Sequence, residues 1–395
     1  MLCLENKKNN NFLKYINNVL IKIMKSSVLV TDGEKRIALI LIRSLGRKGL
    51  KIDVGSESFF SIGFSSKYCH KKTVYKDPKH YPEKFLEYLV KILNRKKFDC
   101  IFPVREHTTG IISKYKEELS RYTNVPVPDY NIFLKAYDKE TSVKIAQDKK
   151  IPCANTFFKF DINKIKEILG YPVVIKSSIK HGVGIAICNS SDELVQKYKQ
   201  MVEKHGKCFL QDFIPNGGEI GVYTIFNKKS EPVALSVQKR IRTIYPYGGV
   251  SILRETIKND KIVDIAFKYL KALKWFGPAM VEFKVDARSN KAKFMEINPR
   301  WWGSISLSVA SGINFPYILY KMAKNDDIEP NLNYKVGVKC RSFYGDILWY
   351  FKSKNKLKNL SILFDFKTNL DILSLTDPIP MFIAPITLAR EVLTK

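Results

Sequence analysis

The pattern of apolar segments changes once along the chain, near the two prolines of NVPVPDY (124–130), and this change limits the folds open to it. Before this point, strand-like runs such as SSVLVTDG (26–33) and FDCIFPV (98–104) alternate with amphipathic segments such as KFLEYLVKILNRKK (84–97). Such alternation is typical of a parallel sheet covered by helices. After it, apolar runs come in pairs joined by short polar turns, which indicates antiparallel hairpins. The sequence therefore predicts an α/β unit followed by an α+β unit.

The ends of the chain's first strands narrow the ligand class. Ligands of parallel sheets bind at the carboxyl ends of strands, and Asp32-Gly33 and Arg105–His107 lie there. No GxGxxG follows the first strand, so the dinucleotide fingerprint is absent.

No stretch of about 18 apolar residues occurs, so we expect no transmembrane helix. Residues 1–25 lack the pattern of a signal peptide. Either they form a basic extension, or translation starts at Met24 and residues 1–23 are not part of the protein.

Charge and cysteine content restrict the partners and the compartment. The 67 basic and 38 acidic residues give a net charge of +29, a field that attracts anions such as nucleotides, nucleic acids or an anionic membrane face. The lysines are spread along the chain and no nucleic-acid motif is found, so we expect no specific nucleic-acid partner and regard a solvated surface as the simplest reading. The seven cysteines never form a CxxC pair, which disfavours disulfides and zinc and favours a cytoplasmic protein.

A late hairpin carries two carboxylates. AMVEFKVD and KAKFMEIN flank a polar turn, and side chains alternate between the two faces of a strand. If Asp286 pairs with Ala292, Glu282 lies directly across from Glu296. Cross-strand partners are about 4.5–5.5 Å apart at Cβ, so two carboxylates at this distance repel each other unless a cation lies between them. The hairpin therefore predicts a cation site.

Two further side chains follow the second carboxylate. Asn298 projects from the same face as Glu296 and completes a set of oxygen donors. Mg²⁺ prefers such donors and usually takes one or two carboxylates together with substrate phosphates. Arg300 could brace the same phosphate by charge-assisted hydrogen bonds. The alternative is a solvated hairpin face that only carries charges.

An earlier hairpin, VVIKSSIKHGVGIAIC, combines a lysine with glycines. Lys176 ends its first strand, and Gly182 and Gly184 would let the backbone approach a ligand closely. A lysine beside such a loop can clamp a phosphate, although a plain hairpin turn with a surface lysine gives the same pattern. In VQKRIRTIYPYGGVSILRET, arginine forks suit a carboxylate or phosphate. We take as substrate-binding candidates Arg240, Arg242, Gly248, Gly249 and Arg254.

The chain contains, in this order, a lysine, a glycine loop, a QDFI strand, paired glutamates and an ExNPR end (EINPR). This order resembles the ATP-grasp superfamily. The closest likeness is to the carboxylate-amine ligases related to biotin carboxylase and the large chain of carbamoyl phosphate synthetase, over roughly Tyr137 to Ile318. The resemblance implies a Rossmann-like parallel-sheet domain, a two-subdomain ATP-grasp fold and a small C-terminal segment. The corresponding limits are 1–25 for the extension, 26–127 for the N-terminal domain, 128–208 for the lid, 209–330 for the catalytic subdomain and 331–395 for the C-terminal segment.

The resemblance also implies roles for individual residues. The residues that match nucleotide contacts of the family are Lys139 and Lys176 for the phosphates, Gly182 and Gly184 in the mobile loop, Gln211, Asp212, Phe213 and Ile214 for adenine, and Glu219 for the ribose. The metal ligands would be Glu282, Glu296 and Asn298, with Mg²⁺ or alternatively Mn²⁺. Arg300 and Lys176 would act in catalysis. The glycine loop departs from the family, because many members have a proline after the lysine and a run of glycines.

The activity implied by the resemblance is an ATP-dependent ligase. A carboxylate is activated as an acyl phosphate and joined to an amine, with release of ADP and phosphate. The alternatives are a carboxylase- or carbamoyl-phosphate-type enzyme, a nucleotide-binding regulator without turnover, and a basic binder of nucleic acid or of a membrane surface. We expect a small-molecule acid and amine as substrates; homodimers are frequent among enzymes of this kind.

Overall fold

The computed structural model describes residues 26–168, 170–179, 184–245, 248–325, 328–353, 355–365 and 367–393. Within these residues the chain forms two compact units. The first comprises residues 26–126, 316–325 and 372–393, and the second comprises residues 127–315 and 328–371. The segment 331–395, which the sequence sets apart, is thus divided between the two units. Gly182 of the predicted site and the extension 1–25 lie outside the described residues.

The described residues contain fifteen strands and fourteen α-helices. The strands are β1 (Ser27–Val30), β2 (Lys51–Ser56), β3 (Cys69–Val74), β4 (Cys100–Phe102), β5 (Thr156–Phe157), β6 (Val173–Ser177), β7 (Ile185–Cys188), β8 (Cys208–Asp212), β9 (Asn216–Phe226), β10 (Pro232–Tyr245), β11 (Gly248–Thr256), β12 (Gly277–Asp286), β13 (Lys291–Asn298), β14 (Lys339–Arg341) and β15 (Asn369–Leu370). The helices are α1 (Arg36–Gly46), α2 (Pro82–Arg95), α3 (Glu106–Lys114), α4 (Lys116–Leu119), α5 (Tyr130–Tyr137), α6 (Lys139–Asp148), α7 (Ile162–Ile168), α8 (Ser191–His205), α9 (Asp260–Ala272), α10 (Ile305–Ala310), α11 (Phe315–Asn325), α12 (Phe343–Lys352), α13 (Lys356–Asn359) and α14 (Ile379–Leu393).

The first unit is built on a parallel sheet of order β3-β2-β1-β4. At its carboxyl end, Asp32 takes a left-handed backbone with a φ of 58°. Its carboxylate accepts hydrogen bonds from the backbone N–H groups of Val104 and Arg105, both at 3.0 Å, and from the Thr108 hydroxyl at 2.7 Å. Asp32 therefore joins the end of β1 to the segment that follows β4.

Late parts of the chain return to this unit. Arg43 of α1 is buried and donates to the carboxylate of Asp377 at 2.8 Å and to the carbonyl of Ile372 at 2.6 Å. Tyr320 of α11 donates its hydroxyl proton to Asp99 at 3.0 Å. Breaking a buried, hydrogen-bonded ion pair is costly, so these contacts fix the C-terminal residues on the first unit.

The second unit contains a seven-stranded sheet of order β13-β12-β9-β10-β11-β14-β15. The strands from β13 to β14 are antiparallel, and β15 pairs in parallel with β14. One face of β9, β10, β12 and β13 packs against α6 and α9 in an apolar core. Its fully buried members include Val222, Val237, Phe283 and Trp275. The opposite face of the same strands carries the polar side chains discussed below.

The smaller sheet of the second unit has the order β5-β8-β6-β7 and is antiparallel. α7 and α8 cover one face around a core that includes Ile165, Val173, Ile175 and Leu210. β8 pairs with β5 and β6. The smaller sheet therefore extends beyond residue 208, where the sequence analysis placed the end of the lid. The mixed fold class, with a parallel N-terminal sheet and a larger antiparallel region, is confirmed.

Candidate active site

Glu282 on β12 and Glu296 on β13 are direct cross-strand partners. The sequence-based register was wrong in detail, because Asp286 pairs with Lys291 rather than with Ala292. If the strand pairing continued without interruption from the pair Asp286–Lys291, Met295 would lie opposite Glu282. A register shift between the pairs Phe283–Phe294 and Glu282–Glu296 leaves Met295 without an opposing residue and restores the alignment of the carboxylates. A β-bulge of this kind is common next to active sites.

The bulge also explains how β13 contributes apolar side chains to the core and polar side chains to the opposite face. Phe294 and Ile297 both belong to the apolar core, although they are three residues apart. In a regular strand, residues three apart point to opposite faces. The additional residue resolves this conflict and turns Glu296 and Asn298 away from the core. The amide NH₂ of Asn298 donates to Glu296 Oε1 at 3.3 Å.

Cations on neighbouring elements neutralise the carboxylates. The guanidinium of Arg240 on β10 donates to Glu282 at 2.7 Å and also to Glu219 on β9. Burial alone would lower the pKa of Arg240, but Glu282 and Glu219 together raise it above its ordinary value. Lys139 Nζ lies 3.5 Å from Glu296 Oε2. Each of the two carboxylates therefore has a cation beside it.

Two predicted phosphate lysines approach this cluster from different elements. Lys139 begins α6, whose preceding residue Asp138 caps the helix by accepting from Thr141 N–H at 2.7 Å. Lys176 lies on β6 in the smaller sheet. Burial, and then the charge of Lys139, lower the pKa of Lys176 to about 8. Lysines collected without enough counter-charge form a site for an anion.

The glycine loop is described only at its ends. Gly184 returns to β6, where its carbonyl accepts from Ser177 N–H at 2.9 Å. A Cβ on Gly184 would lie 2.6 Å from Ser177 Cβ, closer than two carbon atoms can approach without a shift of the backbone. Glycine is therefore required at this position for the hairpin to close.

The predicted adenine segment runs along the end of β8. Gln211 is buried and donates its amide to the Thr156 hydroxyl at 2.8 Å. Burial raises the pKa of Asp212, and its Oδ1 has no hydrogen-bond partner among the described residues. Phe213 faces the amine of Lys284, which lies 5.5 Å from the ring centroid. Ile214 is buried next to them.

The substrate-binding candidates are separated by the structure. Arg240 is paired with the carboxylates, whereas Arg242 binds Asp346 and lies 4.9 Å from the ring of Trp349 on α12. A register shift in β10 places Arg242 opposite Leu253, while Arg240 lies opposite Arg254. Gly248 and Gly249 open β11.

Arg254 is the candidate with unmet donors. Its side chain is 4% exposed, and among the described residues its Nε and Nη2 have no hydrogen-bond acceptor. Its contacts are long: 3.4 Å from Nη1 to the Gly303 carbonyl and 3.7 Å from Nη2 to Asp371. Buried guanidinium donors normally find acceptors, so this geometry suits an additional anion.

Arg300 and the two tryptophans follow β13. Arg300 is half-buried and donates to the Trp301 carbonyl at 2.7 Å. Trp301 and Trp302 are fully buried, and Trp302 packs on Tyr223 and Phe315 with ring centroids 5.0 Å apart in each case. The two tryptophans therefore pack in the core and fix the backbone that carries Arg300.

Comparison with known proteins gives a match in the same region. Residues 226–342 match the family described as "ATP-grasp in the biosynthetic pathway with Ter operon". Over 185 residues the chain is 31% identical to the D-alanine–D-alanine ligase of Carboxydothermus hydrogenoformans, a match that covers 41% of this chain and 58% of that ligase. The chain spans between 24% and 58% of the length of the first curated relatives it matches.

Solved structures share the fold over most of the chain. The biotin carboxylase domain dimer of Hydrogenobacter thermophilus 2-oxoglutarate carboxylase, solved with MgADP, ADP and bicarbonate, aligns with a TM-score of 0.66 and 16% identity over 80% of this chain and 73% of that chain. The L-amino acid ligase of Bacillus licheniformis aligns with a TM-score of 0.60 and 17% identity, over 77% of this chain and 75% of that chain. Residues 226–342 thus carry an ATP-grasp family match within a fold shared with these carboxylase and ligase structures. The resemblance seen in the sequence is confirmed.

The candidate active site contains a cation that the sequence analysis did not identify. Lys284 lies two residues after Glu282 on β12 and directly opposite Glu219 on β9. Burial lowers its pKa. The signal was present in the sequence, since residues two apart on a strand share a face. Asp346 and Asp371, the partners of Arg242 and Arg254, gave no such signal because their contacts depend on the tertiary fold.

The donor set of the candidate active site fits magnesium. The described residues hold no group of three His, Cys, Asp or Glu side chains that could bind a metal. Two carboxylates and one amide remain, Glu282, Glu296 and Asn298, all of them oxygen donors. Mg²⁺ is commonly held by one or two carboxylates plus substrate phosphates, so this set suits a metal that arrives with a nucleotide.

No described helix is both long and apolar enough to span a bilayer.

Proposed function

We propose that the protein is an ADP-forming ligase that joins a carboxylic acid to an amine. A carboxylate oxygen of the acid attacks the γ-phosphorus of ATP, the bond to the β–γ bridging oxygen breaks, and ADP leaves. The amine nitrogen then attacks the acyl carbon, phosphate leaves, and the nitrogen loses a proton. The products are an amide, ADP and phosphate, and no covalent bond to the protein is needed.

One observation carries this proposal: the opposed pair Glu282 and Glu296, neutralised from both sides by Arg240 and Lys139. Mg²⁺ that arrives bound to the phosphates of ATP would bring the negative charge that a site already neutralised by two cations can accept. Mg²⁺ bound there would screen the terminal phosphates of ATP and favour their transfer. Asn298 would complete the protein's share of the ligands.

The other side chains would position the reacting groups. Lys139 and Lys176 supply positive charge for the phosphates, and Arg300 follows the metal ligands closely enough in sequence to steady the transferred phosphoryl group. Lys284 and Glu219 face each other beside Phe213, which supports a role at the nucleoside end. Catalysis of phosphoryl transfer rests mainly on such positioning and charge neutralisation.

The buried donors of Arg254 support the choice of an acid as substrate. A carboxylate could accept from Nε and Nη2 in the side-by-side manner that guanidinium groups favour. Arg254 lies opposite Arg240 on the face that carries Glu282. The acid would therefore be held next to the phosphate that activates it.

The test is release of ADP and phosphate from Mg-ATP in a matrix of amino acids and small carboxylic acids against primary amines, with bicarbonate as an additional acid. We expect release that requires both an acid and an amine, together with an amide product seen by mass spectrometry. Release with bicarbonate alone would instead support the carboxylase-type alternative. Binding of ATP without release under every combination would support the regulator.

Two properties of the relatives extend the proposal. The solved biotin carboxylase domain is a dimer, and we infer a homodimer here, which sedimentation would measure. A reaction that consumes ATP requires the ATP pool of the cell interior, which supports the cytoplasmic prediction from the cysteines.

A further inference from the structure

The described residues between 347 and 364, in the second unit, present a ridge of exposed apolar side chains, called here the basic ridge. It comprises the end of α12, all of α13 and the 3₁₀ turn Leu360–Phe364. Its most exposed apolar residues are Leu348 at 51%, Phe351 at 67%, Leu357 at 92% and Phe364 at 65%. Single exposed apolar residues are ordinary, but a contiguous group marks an interaction surface.

The underside of the basic ridge is firmly attached, so the exposure belongs to a fixed surface. Asp346 is fully buried at the start of α12 and binds both Arg242 and Arg341. Arg341 also donates to the carbonyls of Ile362 at 2.8 Å and Asp365 at 2.6 Å. Both ends of the ridge are therefore tied to β10 and β14, through Arg242 and the buried Arg341.

The charge of the basic ridge is of one sign. Between residues 347 and 364 the sequence contains four lysines and no acidic residue. Lys352 and Lys356 are exposed beside the apolar side chains. The whole chain carries a net charge of +29. An occupant of this surface must therefore accept apolar side chains and offer negative charge.

Three occupants can be compared on these terms. A second copy of the chain would bring like-charged lysines together. A nucleic acid offers negative charge, but Leu357, the most exposed side chain of the ridge, is aliphatic and has no face on which a base could stack. An anionic bilayer satisfies both demands, since leucine and phenylalanine enter the acyl boundary while lysines reach the headgroups.

We propose that the basic ridge docks the protein on the surface of an anionic lipid bilayer. Attachment is peripheral, with Phe351, Leu357 and their neighbours entering the headgroup boundary. Lysines near such a surface add attraction that falls off within a Debye length. The proposal is independent of the ligase activity, because none of these residues contacts the Glu282–Glu296 cluster in the contacts described above.

The test uses the full-length protein and vesicles of two compositions, phosphatidylcholine alone and phosphatidylcholine with phosphatidylglycerol. We expect co-sedimentation with the anionic vesicles only, weakened by added salt. The double variant Phe351→Ser/Leu357→Ser should bind at least roughly tenfold more weakly, since each change removes apolar area from the acyl boundary. The matched control is Leu375→Ser, because Leu375 is fully exposed but lies outside the ridge.

A second pair of variants separates local charge from total charge. Lys352→Glu/Lys356→Glu and Lys199→Glu/Lys204→Glu change the net charge equally, and the latter two lysines are exposed on α8. Only the ridge pair should abolish vesicle binding. Equal loss in both pairs, unchanged binding in the serine variant, or absence of binding to anionic vesicles would overturn the proposal. The proposal would also be overturned by a protein that does not bind vesicles but does bind duplex DNA or form a dimer, if the serine variant abolishes that binding or that dimer.

Discussion

Glu282 and Glu296 lie directly opposite each other because one additional residue, Met295, is inserted between Glu296 and the core residue Phe294. The bulge brings the two carboxylates onto one face while Phe294 and Ile297 both reach the core on the other. The structure thus builds a pair of like charges that is costly unless cations neutralise it, and it supplies Arg240 and Lys139 for that purpose. This balance of charge makes the site testable one residue at a time.

Arg240 should stabilise the fold through its carboxylate partners. Replacement by Met would leave Glu219 and Glu282 close together without their shared counter-charge. We expect a loss of roughly 3 kcal/mol in the free energy of unfolding, as for other broken buried pairs. Urea unfolding of Arg240→Met, Glu282→Gln and the double variant gives the coupling. The loss caused by Arg240→Met should be clearly smaller in the Glu282→Gln background; equal losses in the two backgrounds would refute the pairing.

Lys176 should make nucleotide binding depend on pH. Its pKa is lowered to about 8, so its positive charge is present below that pH and lost above it. Affinity for a non-hydrolysable ATP analogue should therefore fall as the pH rises from about 7 to 9, by at most about tenfold per pH unit. The Lys176→Arg variant keeps its charge over this range and should lose this dependence. Identical pH profiles for the two proteins, measured by calorimetry, would contradict the assignment.

The first unit offers a test that is independent of ATP. Glu34 is buried, and burial, followed by Asp32 and Glu57, raises its pKa to about 7 from 4.5. A raised pKa means that the folded state favours the protonated acid, so stability is lost as pH rises from about 4.5 through 7. Glu34→Gln keeps an acceptor for the Ser56 hydroxyl and should be more stable than the wild type at pH 8, by on the order of 2 kcal/mol.

That difference should vanish at pH 5, where Glu34 is protonated in the folded wild type. Urea midpoints of both proteins at the two pH values measure it. A control change, Glu87→Gln on the solvent side of α2, removes an exposed carboxylate and should show no such pH dependence. A Glu34→Gln variant equally stable or less stable than the wild type at pH 8 would show that Glu34 is ionised there at little cost.

The sequence predicted the fold class and the carboxylate pair because both rest on local periodicity. Alternation along β12 and β13 was enough to bring Glu282 and Glu296 to one face, although the assumed register was wrong. The bulge left one trace that sequence reasoning passed over: Phe294 and Ile297 are both apolar yet three residues apart. Lys284 could likewise have been found from its spacing to Glu282.

The remaining features depend on contacts between distant residues. Arg43 and Asp377 are paired across most of the chain, so no local pattern showed that the last residues return to the first unit. Arg242 looked equivalent to Arg240 in sequence, but a register shift in β10 turned it towards Asp346. Such events depend on which partner strand is available, and a single strand does not encode them.

The central claim, that the opposed carboxylates hold magnesium for ATP, is tested most directly by Glu296→Gln. Its matched control is Glu255→Gln. This change removes a carboxylate on β11 that pairs with Lys239 and lies away from the cluster. With the acid and amine found in the substrate screen, ADP release by Glu296→Gln should fall at least about 100-fold at low magnesium, the scale for loss of a transition-state charge contact. The control should keep wild-type rates. Equal rates and an equal magnesium requirement in wild type and Glu296→Gln would contradict the account.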